Sequence, residues 1–204
     1  SDKKQVNKVR KFLKTIKGFK KIKIFYSKKN LGTANNIING VNKIIFKKKK
    51  VIILEDDLVL SNSFLQYMNK SLEKYQSNKK VWHISAWNYD LKIKNEYFDA
   101  FFSKHMMCWG WGTWHDRWKY FKKKPKLLIK NWKIDKIKKF NLNDSYNFWS
   151  QVLRNDKKII NTWAVFWYAT IFEHNGLCLN PKNSLVLNLG NDNFAINTHK
   201  NSFN

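Results

Sequence analysis

Three consecutive carboxylates, Glu55-Asp56-Asp57, interrupt an apolar stretch, with Val51-Ile52-Ile53-Leu54 before them and Leu58-Val59-Leu60 after. Like charges this close repel unless a cation or hydrogen-bond donors offset them. Carboxylate oxygens are hard ligands that suit Mg²⁺ or Mn²⁺, and such an ion stabilises negative charge on phosphate oxygens. The short apolar run ahead of the acids has the pattern of a buried strand. In an α/β sheet the C-terminal end of a strand is where ligands usually bind. The stretch alone supports two readings: a divalent-metal and diphosphate site, or an acidic turn that follows a buried strand.

A second unusual stretch is Cys108-Trp109-Gly110-Trp111-Gly112-Thr113-Trp114-His115-Asp116-Arg117-Trp118. Glycine permits close backbone approach or positive φ, and Trp offers flat apolar surface with one N–H donor. A loop of this kind suits a wall for sugar rings or nucleobases; equally, it suits a Trp-rich core segment capping a sheet. Further groups with chemical capacity are Asp116, Asp192 and, in a polar tail, His199. Glu73 and Glu96 sit in surface-like contexts.

The elements that must position these groups alternate. Residues 4–17 carry a helical stripe of Val6, Val9, Phe12, Leu13 and Ile16, with Gly18 as a C-terminal cap. Residues 21–26 alternate like a strand. Thr33 caps a helix whose apolar face runs from Ala34 to Ile45 and which ends at Lys47–Lys50. The strand at 51–54 and the acids follow. Ser61 or Asn62 caps the next helix, and 81–84 is another strand. Helix, strand, helix, strand, helix, strand predicts an α/β sheet with largely parallel strands. Beyond it the pattern predicts a strand over 97–103, a peripheral lysine-rich segment over 122–140, and a helix over 143–155 capped by Asn143 or Asp144. A helix over 163–172 and short extended pieces at 177–181 and 185–187 complete it.

The chain of 204 residues is 43% hydrophobic and 16% aromatic, which excludes a disordered polymer and allows a real core. No apolar run is long enough to span a bilayer, and Cys108 and Cys178 form no disulfide framework. A cytoplasmic setting is expected. The net charge of +26 invites a nucleic-acid reading. Only Arg10, Arg117 and Arg154 among the 40 basic residues are arginines, however, and Arg is the residue preferred for bidentate base and phosphate recognition. Most of the lysines read as solvated surface, with weak, salt-dependent attraction for anionic lipid headgroups or polyanionic acceptors.

Several of these segments, in this order, resemble bacterial nucleotide-sugar glycosyltransferases of the GT-A fold, similar to the family 2 sugar transferases. The resemblance rests on Asn30-Leu31-Gly32 opening a helix, Val-Ile-Ile-Leu-Glu-Asp-Asp at 51–57, Phe64-Leu65, His83-Ile84-Ser85 and the Trp-Gly stretch at 108–114. It continues through Trp163-Ala164, Trp167-Tyr168, Asn175-Gly176-Leu177, Pro181, Ser184-Leu185-Val186, Asn188-Leu189-Gly190-Asn191-Asp192 and Thr198-His199. The Glu-Asp-Asp also resembles the metal motif of eukaryotic N-acetylglucosaminyltransferase I.

The resemblance implies one GT-A-like domain over 1–204: a Rossmann-like, mixed and mostly parallel sheet flanked by helices, with a donor and metal part at 1–90 and an acceptor part at 91–204. It implies metal-dependent transfer of a sugar from a nucleotide-sugar to a glycan, lipid-linked or polysaccharide acceptor. Asp57 would be the direct ligand of Mn²⁺ or Mg²⁺, with Glu55 second and His199 as a further ligand. Asp56 would meet donor hydroxyls, and Glu55, Asp56 and Asp57 together would bind the donor. Asp192, which belongs to the matched Gly-Asn-Asp, would be the first candidate base and Asp116, after the Trp stretch, the second; the acid that serves N-acetylglucosaminyltransferase I on a late helix matches Ala164 here, so that assignment does not carry over. Trp109, Gly110, Trp111 and Trp114 would bind the acceptor. The family's first strand and nucleobase loop would precede Ser1, so the chain as given is expected to bind a nucleotide-sugar poorly or not at all. The expected location is cytoplasmic with peripheral contact at the inner face of the membrane, and no nucleic-acid partner is expected. The alternatives are a basic nucleic-acid or polyanion-binding module and a non-catalytic relative that keeps only the fold.

Overall fold

The computed structural model describes residues 3–90 and 98–190. The chain divides into two compact units, Ser1–Leu31 and Gly32–Asn204. In the first, α1 (Lys3–Leu13) is a basic helix with no buried residue. Residues 21–26, expected as a strand, form none. Their alternation is strand-like, but a strand also needs an edge to pair with.

The second unit is mixed α/β. Helix α2 (Gly32–Lys48) buries Ala34, Val41 and Ile45, the stripe read from the sequence, and Lys49 leaves it at φ 67°. Strands β1 (Lys50–Ile53) and β2 (Leu58–Leu60) follow, then α3 (Phe64–Lys74) and the fully buried β3 (Val81–Ser85). The N-cap position of α3 is Ser63, one or two residues later than expected. Next come β4 (Ala100–Ser103), β5 (Trp111–Trp114) and α4 (His115–Trp118). Helices α5 (Pro125–Asn131), α6 (Ile134–Phe140), α7 (Trp149–Asp156) and α8 (Ala164–Glu173) lead to β6 (Leu177–Pro181) and β7 (Val186–Asn188).

The open five-stranded sheet has the order β1-β5-β3-β6-β4, and β2 pairs with β7 apart from it. Only β3–β6 is a parallel pair; β1–β5, β5–β3 and β4–β6 are antiparallel. The expectation of a mostly parallel sheet is corrected accordingly. β1, β3 and β6 do share a direction. Yet β5 enters from their C-terminal edge and runs back between β1 and β3, and β4 runs back beside β6.

Helices cover both faces. One face packs α2 and α5–α8 around Trp111, Trp118, Trp163 and Trp167; the other packs α3 around Phe64, Met68, Leu72 and Trp114. The segment 122–140 is not peripheral, because Leu128, Trp132 and Phe140 enter the core. The helix expected over 143–155 begins only at Trp149, since Asn143 and Asp144 adopt positive φ. Its first N–H groups are instead taken by the side-chain oxygens of Asn141 (2.9 Å) and Asn147 (3.0 Å).

Candidate active site

Strand register collects one set of loops at a single edge of the sheet. Ile53, the last residue of β1, pairs with Trp111, the first of β5, and Trp111 also pairs with Ser85, the last of β3. Glu55-Asp56-Asp57, Cys108-Trp109-Gly110 and Ala86-Trp87-Asn88 therefore leave the sheet at the same end. Backbone bonds stitch these loops together: Ala86 N–H donates to Gly110 C=O (2.7 Å), and Leu185 N–H donates to Ala86 C=O (2.8 Å).

The acids occupy the turn between β1 and β2. Leu189, just past β7, donates its N–H to the Asp57 carbonyl at 2.9 Å. Gly190 follows so closely that an added Cβ would collide with Asp57 Oδ2. The other carboxylate oxygen, Asp57 Oδ1, is buried with no hydrogen-bond partner among the described residues. Burial, then the charges of Asp57 and Asp56, push the Glu55 carboxyl up to about 7. The thiol of half-buried Cys108 is pushed up to about 12, chiefly by desolvation and next by the charge of Glu55, so it lies within electrostatic reach of the acids.

Aromatic rings border this edge. Trp87 meets Trp109 edge-on at 4.7 Å and Tyr89 at 4.6 Å. Trp87 and Trp109 are half-buried and Tyr89 is exposed. Beneath them His83 is wholly buried, and burial lowers its imidazole to about 3. Its neutral tautomer follows from its partners. Nε2 donates to the Met107 carbonyl (2.8 Å), and Nδ1 accepts from Trp167 Nε1–H (3.2 Å). His83 thus fastens the loop before Trp109 to β3 and α8.

The other expected site residues divide. Trp111 and Trp114 are 0% and 2% exposed, which removes them from any acceptor surface. Strand alternation sends them to opposite faces of the sheet, each into a core. Gly110, at φ +66°, is hemmed in by Phe64, Val186 and Ala86, and Gly112 lies under α3 against Met68 and Leu72. Both glycines serve packing. Asp116 stands at the wrong edge, because Trp114 pairs with Lys50, the first residue of β1. Burial alone would raise its carboxyl. Lys79 (2.5 Å) and Arg117 (2.6 Å) override that and hold it below its usual range, the reverse of what a general base needs. Asp192 and His199 lie outside the described residues. Trp87, Tyr89 and Cys108 were not picked out as site residues from the sequence; the available signal was that Trp87 and Tyr89 follow the buried strand β3, whereas the strand before the acids, expected to be buried, is half-buried along its length.

Among the described residues no three His, Cys, Asp or Glu side chains converge on one point. Two carboxylates still fit a hard cation of the Mg²⁺ or Mn²⁺ type, which commonly takes one or two from the protein and completes its shell with water and substrate phosphates. The orphaned Asp57 Oδ1 is the donor such an ion needs. The chain matches no protein-family model, and no curated protein shows significant similarity to it.

Proposed function

We propose that the chain carries the metal and diphosphate half of a nucleotide-sugar glycosyltransferase site of the GT-A type. The observation that supports this best is the unpartnered, buried Asp57 Oδ1 at the end of β1, beside a Glu55 carboxyl raised to about 7. An unsatisfied buried carboxylate oxygen is costly unless something compensates it. Asp57 and Glu55 would hold Mn²⁺ or Mg²⁺, and the bound ion would neutralise charge on the leaving diphosphate. Asp56, exposed in the same turn, would accept hydrogen bonds from donor hydroxyls. Trp87, Tyr89 and Trp109 offer apolar surface to a glycan acceptor and restrict water at that edge.

The test is Mn²⁺ binding followed by electron paramagnetic resonance, alone and with inorganic pyrophosphate standing in for the donor diphosphate. We expect the parent to bind the ion, pyrophosphate to tighten binding, and Asp57→Asn to lose it. Equal binding by parent and Asp57→Asn would sink the reading.

A further inference from the structure

We infer that α1 is an in-plane docking helix for an anionic bilayer surface. At about 100° per residue, Val6, Val9, Phe12 and Leu13 fall within about a third of the helix circumference. Val6, Val9 and Phe12 are 37%, 58% and 67% exposed, and no residue of the helix is buried. Gln5 falls within this arc; the rest of the circumference carries Lys3, Lys4, Asn7 and Lys11, with Lys8 and Arg10 on either border of the apolar arc.

A segment building its own core would fold onto the apolar side. Here residues 26–27 fold onto the other side. Arg10 donates to the Ser27 carbonyl at 3.2 Å and lies over the Tyr26 ring at 5.1 Å. Val6, Val9 and Phe12 are left exposed and Leu13 half-buried, with Phe19 (66%) and Ile22 (41%) adding exposed apolar surface in the same unit.

Charge identifies the occupant. Residues 1–31 carry eleven lysines and Arg10 against one acid, Asp2. An apolar stripe flanked by cations that can reach sideways to phosphates matches an interface of acyl chains and anionic headgroups. Among the described residues no helix is long and apolar enough to cross a membrane, so the contact is one of lying on the surface.

Flotation of the full chain with phosphatidylcholine vesicles, with and without phosphatidylglycerol, tests this. Binding is expected only with phosphatidylglycerol. The charge-neutral pair Val9→Gln and Phe12→Gln should weaken it by about tenfold or more. Circular dichroism should show the pair folded as the parent, since neither side chain is buried. Absence of binding to the anionic vesicles overturns the inference. So does equal binding by parent and variant, and so does competition by a single-stranded oligonucleotide that the variant does not alter, which would assign the face to nucleic acid.

Discussion

Leu189 donates its backbone N–H to the carbonyl of Asp57 at 2.9 Å, so the exit of β7 is tied to the acidic turn at the residue proposed to hold the cation. Gly190 then passes against the Asp57 carboxylate, and its own N–H is taken by Asn188 Oδ1 at 2.6 Å. Gly190→Ala should push the Asp57 carboxylate aside without disturbing the core. The expected result is a loss of Mn²⁺ affinity of about tenfold, with a Tm change of about 2 °C or less. Calorimetric titration and a thermal melt on the same preparation check both. A large fall in Tm would mean that the glycine serves folding instead.

Glu55 gives the site a pH signature. Folded, its carboxyl holds its proton up to about pH 7, against 4.5 for the ordinary group. Between those values the folded state binds more protons than the unfolded one, so stability falls as pH rises. The cost is complete above about pH 7. It is at most about 3 kcal/mol, and less once solvent screening at a half-buried site is allowed for. His83 and His105, lowered by burial to about 3 and about 4, act oppositely and remove stability as pH falls below 6.5. Glu55→Gln should therefore gain on the parent as pH rises from 4.5 through 7, and denaturant melts across that range would show it. Mn²⁺ should bind the parent more tightly above pH 7, where Glu55 is ionised.

Much of this scaffold was legible before the structure. The face of α2 follows from apolar spacing, and β1, β3 and β6 follow from short apolar runs. Those elements carry their pattern locally, so the placement of the acids at the end of β1 could be read. The insertion of β5 between β1 and β3 could not, because it depends on pairing between residues some sixty positions apart, such as Val51 with Thr113. Trp111 and Trp114 looked like a binding wall for the same reason. Their types announce flat apolar surface, but only the strand's two-residue alternation, once the strand is known, sends both inward. Residues 21–26 show the converse error, a strand-like alternation without a pairing edge.

Arg117 is a test of the fold independent of any chemistry. It is 2% exposed and its guanidinium lies over the Trp114 ring at 4.4 Å. It donates to the carbonyls of Val81, Gln76 and Asn78 at 3.2, 2.8 and 3.1 Å, besides pairing with Asp116. The planar fork closes the connection between α3 and β3 in a way one ammonium cannot reproduce. Arg117→Lys should cost about 2–4 kcal/mol, because carbonyls are left buried without donors. Urea melts would measure it. A loss no larger than that of an exposed control such as Lys70→Arg would show that water replaces the guanidinium at little cost.

Trp109 and Trp111 stand two residues apart and should behave differently. Trp111 stacks on Trp163 at 4.9 Å and on His83 at 5.4 Å, with no exposed surface. Trp111→Phe removes buried volume and should cost about 2 kcal/mol, a fall in Tm of about 4–8 °C in a chain of this size. Trp109 packs edge-on against Trp87 and keeps part of its surface open. Trp109→Phe should change Tm by about 2 °C or less, and on the proposed function its effect should appear in acceptor binding. Equal losses of stability would place Trp109 in the core with Trp111, leaving Trp87 and Tyr89 as the aromatic surface beside the acids.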